Sequence, residues 1–137
     1  MANRPLRPGL GQSGFAAVLE VGFNVPTVPT ILRAEAAERV RRKIEAERIP
    51  CQRLDLSNEP VSRGSLFDMT GVRVLFPEGD TFDVCYVALI DPNVASQWGH
   101  AAFWAFVPSN GQGDTALRST NFPENAKGSV TFSQVLL

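Results

Sequence analysis

TGVRVLFPEGDTFDVCYVALI, residues 70 to 90, is the stretch on which the reading of the fold turns. Two runs rich in valine, phenylalanine and other strand formers flank a Pro-Glu-Gly-Asp turn, the pattern of a β-hairpin. A second turn around DPNVASQ leads into WGHAAFWAFV (98–107), which is apolar on both parities. That is expected of a strand covered on both faces.

Working outward, PSNGQGD reads as a turn, TALRST (115–120) as a weaker strand, NFPENAKG as a turn and SVTFSQVLL as a last strand. On the N-terminal side, CQRLDL (51–56) is a short strand and SNEPVSRGS a loop. Residues 31–48 carry Leu32, Ala36, Ala37, Val40 and Ile44 within one helical arc, with Glu35–Arg39, Glu38–Arg42 and Arg41–Glu45 at ion-pair spacing. Thr30 is the expected N-cap, and Pro50 forbids continuation. Lys43 and Glu47 intrude on the apolar arc, so the last turn is expected to overhang the core. Phe15 to Val25 reads as a first strand, and residues 1–13, rich in proline and glycine, as an N-terminal arm.

The fold class is therefore α+β. A mainly antiparallel, curved sheet of about five to seven strands carries one principal helix on one face, in a single domain spanning residues 14–137.

Composition narrows the function. The 137 residues are 44% hydrophobic, enough for a core without staples. The opening residues outline an export signal, but Gln12 and Glu20 break the apolar stretch and no small-residue cleavage site follows, so a cytoplasmic location without membrane insertion is expected. Two cysteines 34 positions apart and a single histidine supply no zinc set, and no metal or cofactor is expected. No Walker loop, GxGxxG, GxSxG or HExxH occurs. Net charge is −1, made of +4 over residues 1–53 and −5 over residues 54–137, an opposition that can dock the helix onto its own sheet or steer a partner. The helical cations alternate with glutamates instead of forming a stripe, which argues against nucleic acid.

One constellation remains. If the hairpins close at their turns, Phe76 pairs with Thr81 and Ala88 lies opposite His100, and alternation sorts the side chains onto two faces. Val72, Val74, Phe76, Cys85, Val87, Leu89, Phe103, Ala105 and Val107 then lie under the helix. Arg73, Tyr86, Trp98, His100, Trp104 and Phe106 gather on the other face, with both tryptophans, the only tyrosine and the only histidine. Such a face is too apolar for water. A cavity for an apolar small molecule, a partner protein, or the first and last strands folded over it as plain core would each cover it. Asp83, Asp91 and Asp114 are read as solvated turn carboxylates.

The leading functional reading is a non-catalytic interaction or assembly protein that self-associates, or binds another protein, through the aromatic face or the C-terminal strand. The alternative is a small enzyme or carrier enclosing an apolar ligand, with His100 as acid or base. A nucleic-acid-associated protein using the basic N-terminal part is the third reading.

Overall fold

The computed structural model describes residues 29–68, 71–95, 99–121 and 130–137. The expected arm (1–13), first strand (15–25) and Trp98 lie outside the described residues, as does most of the NFPENAKG turn.

One helix, α1 (Arg33–Glu47), precedes six strands: β1 (Arg53–Ser57), β2 (Val61–Ser62), β3 (Val84–Asp91), β4 (Ala101–Pro108), β5 (Ala116–Asn121) and β6 (Phe132–Val135). The sheet is antiparallel in the order β5-β4-β3-β1-β6, with β2 pairing the start of β3. The α+β class, with one helix on an antiparallel sheet, holds.

Alanine, glutamate and arginine make α1 a strong helix former. Its buried stripe is narrow, comprising Ala36, Ala37 and Val40, with Ile44 half-buried behind them, while Leu32 stays 76% exposed. These residues meet Leu54, Leu56, Tyr86, Ala88, Ile90, Ala105, Val107 and Val135 of the sheet. Alanine on both sides lets the two backbones approach closely. Thr30 does not cap the helix: Leu32 holds the N-cap position without a side-chain bond, and the segment is fixed instead by the Ile31 N–H donating to Ser109 O. At the far end Arg48 turns left-handed (φ 55°), its N–H and that of Ile49 reaching back to Glu45 O and Ile44 O. This closes the helix ahead of Pro50, as the αL type of C-cap does.

So slender a stripe buries little, and arginines complete the docking. Arg33 donates to the carbonyls of Leu56, Ser57 and Ser133 at 2.8, 3.1 and 2.9 Å. Arg39 reaches Gly111 O at 3.0 Å while pairing with Glu35, and Arg41 reaches Leu136 O at 3.1 Å. Among the described residues the charge opposition between the two parts of the chain thus docks no sheet carboxylate on a helical cation. Sheet-end and loop carbonyls are the acceptors, and the glutamates partner the helix itself. The pairs Glu35–Arg39 and Glu38–Arg42 form as expected, whereas Arg41 turns to Glu38 instead of Glu45.

The hairpin of residues 70–90 does not form. Residues 72–76 fold back on residues 66–68: Val74 N–H donates to Leu66 O, Asp68 N–H to Val72 O, and Phe67 and Arg73 make an isolated bridge. The turn PEGD passes into a single 3₁₀ turn, Asp80–Phe82, so β3 starts only at Val84. Its leading end is paired by β2, from within the segment expected to be loop, with Val61 opposite Cys85. The apolar alternation of 72–76 instead serves a lid of chain: Val74 and Phe76 turn inward with Val61 and Leu66, and Val72 and Leu75 turn outward.

The β3–β4 register also differs. Ala88 faces Ala105, not His100, and Tyr86 faces Val107. An odd change in register exchanges the two sides of one strand relative to the other. Phe103, Ala105 and Val107 do lie beneath the helix, but they are joined there by Tyr86, Ala88 and Ile90. Cys85, Val87 and Leu89 face the opposite side, with Ala102, Trp104 and Phe106.

Ser57 marks where β3 changes partner. The β1 ladder ends with Leu56 opposite Ala88 and resumes with Val61 opposite Cys85. Between them the fully buried Ser57 Oγ accepts the Val87 N–H at 3.0 Å, supplying the bond that the gap would leave unmade.

Gly111 tightens the helix end of the sheet. Its φ is +74°, and a Cβ there would lie 2.8 Å from Ile31 Cγ2 and 3.3 Å from Arg39 Nη2. Gly111→Ala is therefore expected to lower stability by about 2–4 kcal/mol, from left-handed strain plus overlap. Thermal denaturation followed by circular dichroism checks this; an unchanged midpoint would contradict it.

Candidate functional site

Of the six residues singled out from sequence, the five that are described do not converge. Tyr86 is buried beneath α1, its hydroxyl donating to Ile31 O at 3.0 Å. Trp104 and Phe106 lie on the other side of the sheet, 4% and 0% exposed. The Phe106 ring sits 5.0 Å from Phe76 and the Trp104 ring 6.3 Å from Phe132. Arg73 belongs to the segment covering that side, exposed, with its guanidinium 5.4 Å over the Phe67 ring.

What covers the aromatic side is the chain itself. Val61, Leu66, Val74 and Phe76 are buried on it, with Phe82, Val130 and Phe132 packed at its margin. The cover is core, but it is built from residues 61–68 and 71–82, not from the first and last strands folded across the face: the last strand pairs β1 within the sheet, and the expected first strand lies outside the described residues. Full burial of each large side chain there contributes about 1.5–3 kcal/mol.

His100 has a partner the sequence reading missed. Its Nε2 lies 2.6 Å from Asp91 Oδ1, and the two side chains are 14% and 6% exposed. The same carboxylate oxygen accepts the Asn93 N–H at 2.9 Å, forming an Asx turn at the exit of β3. The Asp91 carbonyl accepts from Gln52 N–H at 2.8 Å, and Gln52 Oε1 accepts the Val94 N–H at 3.0 Å. Asp91 is thus no solvated turn carboxylate. It closes the base of the β3–β4 connection, where residues 91 and 100 come together because Ile90 pairs with Phe103. Asp83, by contrast, is exposed and pairs with Arg63 at 3.0 Å. The DPN triplet was the available signal for an Asx turn; its approach to His100 is a product of register.

A carboxylate-oriented imidazole is the arrangement that general acid–base chemistry uses. The thiols do not extend it into a nucleophilic pair. Burial pushes the Cys85 thiol up from 9 to about 12, Arg63 opposing and Asp83 adding, and burial likewise raises Cys51. Both stay protonated near neutrality, so neither offers a thiolate. Cys85 also sits at the leading end of β3, with Asp91 at the other. Among the described residues no three His, Cys, Asp or Glu side chains gather as a metal site.

Clefts open elsewhere among the described residues. One of about 260 Å³ lies between Arg39, Arg42, Lys43 and the loop Gly113–Thr115. Its cations are engaged: Arg39 by Glu35 and Gly111 O, Arg42 by Glu38, and Lys43 by Glu47. Another, about 360 Å³, is formed by Glu59 to Ser62, Ser65, Val130 and Thr131. Neither is lined by any of the five described residues of that set. No described helix is long and apolar enough to cross a membrane. Compared with known proteins, the chain matches no family, no curated protein and no solved structure.

The buried acids predict alkaline lability. Cys85 binds its proton more tightly when folded, so its contribution to stability is complete below pH 9 and is lost as pH rises from 9 towards 12. Tyr86, raised by burial with Arg33 opposing, acts in the same sense above pH 10. Denaturant unfolding across this range should show stability falling by up to about 1.4 kcal/mol per pH unit for each group that titrates. Cys85→Ala should flatten the slope just above pH 9. A wild-type curve flat to pH 11 would contradict the assignment.

Proposed function

We propose that the chain is a non-catalytic interaction and assembly protein that self-associates through the outer edge of β6. The observation carrying this reading is the direction of that strand's backbone groups. Asn58 N–H donates to Thr131 O, and the register continues with Leu56 opposite Ser133 and Leu54 opposite Val135. Hydrogen-bonded pairs alternate along an antiparallel ladder, so the amides and carbonyls of Phe132 and Gln134 point away from β1. No described strand lies beyond them.

The composition of the edge supports the same reading. Sheet proteins that stay apart protect their edges with lysine, proline or bulges. Residues 130–137 contain no charge and no proline, and they end in Leu136 and Leu137, 81% and 64% exposed. The opposite edge, β5, carries Arg118. The aromatic side of the sheet is occupied by the chain's own residues, so the contact is assigned to the C-terminal strand.

The His100–Asp91 pair favours a second reading, a small enzyme or carrier in which His100 serves as acid or base. The two readings part on molecular mass. Light scattering at micromolar concentration is expected to give twice the chain mass. Gln134→Pro removes one outward N–H while sparing the β1 ladder, and is expected to give a folded monomer with at least a tenfold weaker association, about 1.4 kcal/mol. A wild-type monomer would overturn the assembly reading and leave the second one standing.

A further inference from the structure

We infer that the partner at β6 is a second copy of this chain, paired antiparallel about a two-fold axis that passes through Gln134. This rests on the assembly reading and adds the register. In a two-fold pair, the residue on the axis faces itself and every other residue faces its mirror position. With Gln134 on the axis, Phe132 of one copy faces Leu136 of the other.

Three features select this axis. The outward-pointing backbone positions are Phe132, Gln134 and, continuing the alternation, Leu136. An axis at Gln134 makes all three hydrogen-bonded pairs. An axis at Ser133 would instead set Leu136 opposite Val130, before β6 begins, and Gln134 opposite Phe132. The Leu136 carbonyl already accepts from Arg41 at 3.1 Å, and its second lone pair remains for the copy.

The side chains agree. Phe132 packs with the aromatic cluster on the side away from the helix, and alternation puts Gln134 and Leu136 on that same side. Pairing brings Leu136, 81% exposed in one copy, against the half-buried Phe132 of the other. Gln134 meets its own copy, and each primary amide offers the donor and acceptor that the other needs. Because the strand is uncharged, the two copies bring no like charges together, as Arg118 would across paired β5 edges. The product is one continuous sheet, with both helices on the same side.

Disulfide trapping reads the register directly. In a Cys51→Ser background, which removes the half-exposed thiol, Gln134→Cys and Ser133→Cys are compared under mild oxidation, with the mass measured in parallel. Facing residues of a hydrogen-bonded pair have Cα atoms about 5.5 Å apart, within disulfide reach, so Gln134→Cys is expected to give at least about tenfold more linked dimer than Ser133→Cys. Preferential linking through Ser133→Cys would overturn the register while the β6 contact stands. A dimer that links at neither position would place the contact elsewhere and overturn the inference. A monomer that links at neither would sink the assembly reading as well.

Discussion

Alanine faces alanine where α1 meets the sheet, and the rest of the architecture follows from that close approach. Ala36 and Ala37 on the helix meet Ala88 and Ala105, which pair directly across β3 and β4. Small residues on both sides bring the helix near enough for short reaches to succeed: the Tyr86 hydroxyl to Ile31 O, and Arg33 to three carbonyls at the ends of β1 and β6. They also limit the apolar area that docking buries. The stability of the contact therefore leans on charge-assisted bonds to backbone carbonyls, of which the part-buried ones from Arg33 and Arg39 each contribute about 1.5–3 kcal/mol. The same proximity forbids a side chain at Gly111.

Much of this was legible in the sequence. The helical stripe, the apolar runs at 81–90 and 98–107 and the terminal strand all report local periodicity, and each appears where expected to within a few residues. Register was not legible, because it depends on which segments pair. Residues 72–76 alternate as a strand does, and they face the apolar side of the sheet from above without joining its edge. Independently of that segment, the connection from Asp91 to Ala101 is longer than a tight turn, so β3 pairs β4 an odd step from the expected register and Tyr86 parts from Trp104 and Phe106. The arginine clamps were equally out of reach. Arginine spacing on a helix signals possible glutamate partners at i±3 and i±4, but nothing local announces a carbonyl 72 or 95 residues away in sequence, as for Arg39 and Arg41.

Two features stand apart from the packing and hold the functional interest. The His100–Asp91 pair joins two polar groups at the base of one connection, in a position that both orients an imidazole and fixes a loop. The β6 edge has the opposite character: it is uncharged, carries backbone groups directed outward, and lies beside exposed leucines. Nearby, Ser57 closes the gap between β1 and β2 by accepting the Val87 N–H. An edge left without the usual charge or proline stands out against it.

The division of aromatic residues between two sides of the sheet is tested most directly by nuclear Overhauser contacts in the intact protein. Tyr86 ring protons should meet Ile31 and the alanines of α1, while the Trp104 indole should meet Phe132. Contacts from Trp104 to the helix, or from Tyr86 to Phe76 and Phe106, would place the phenol and the indole on one side and contradict the register on which the account stands.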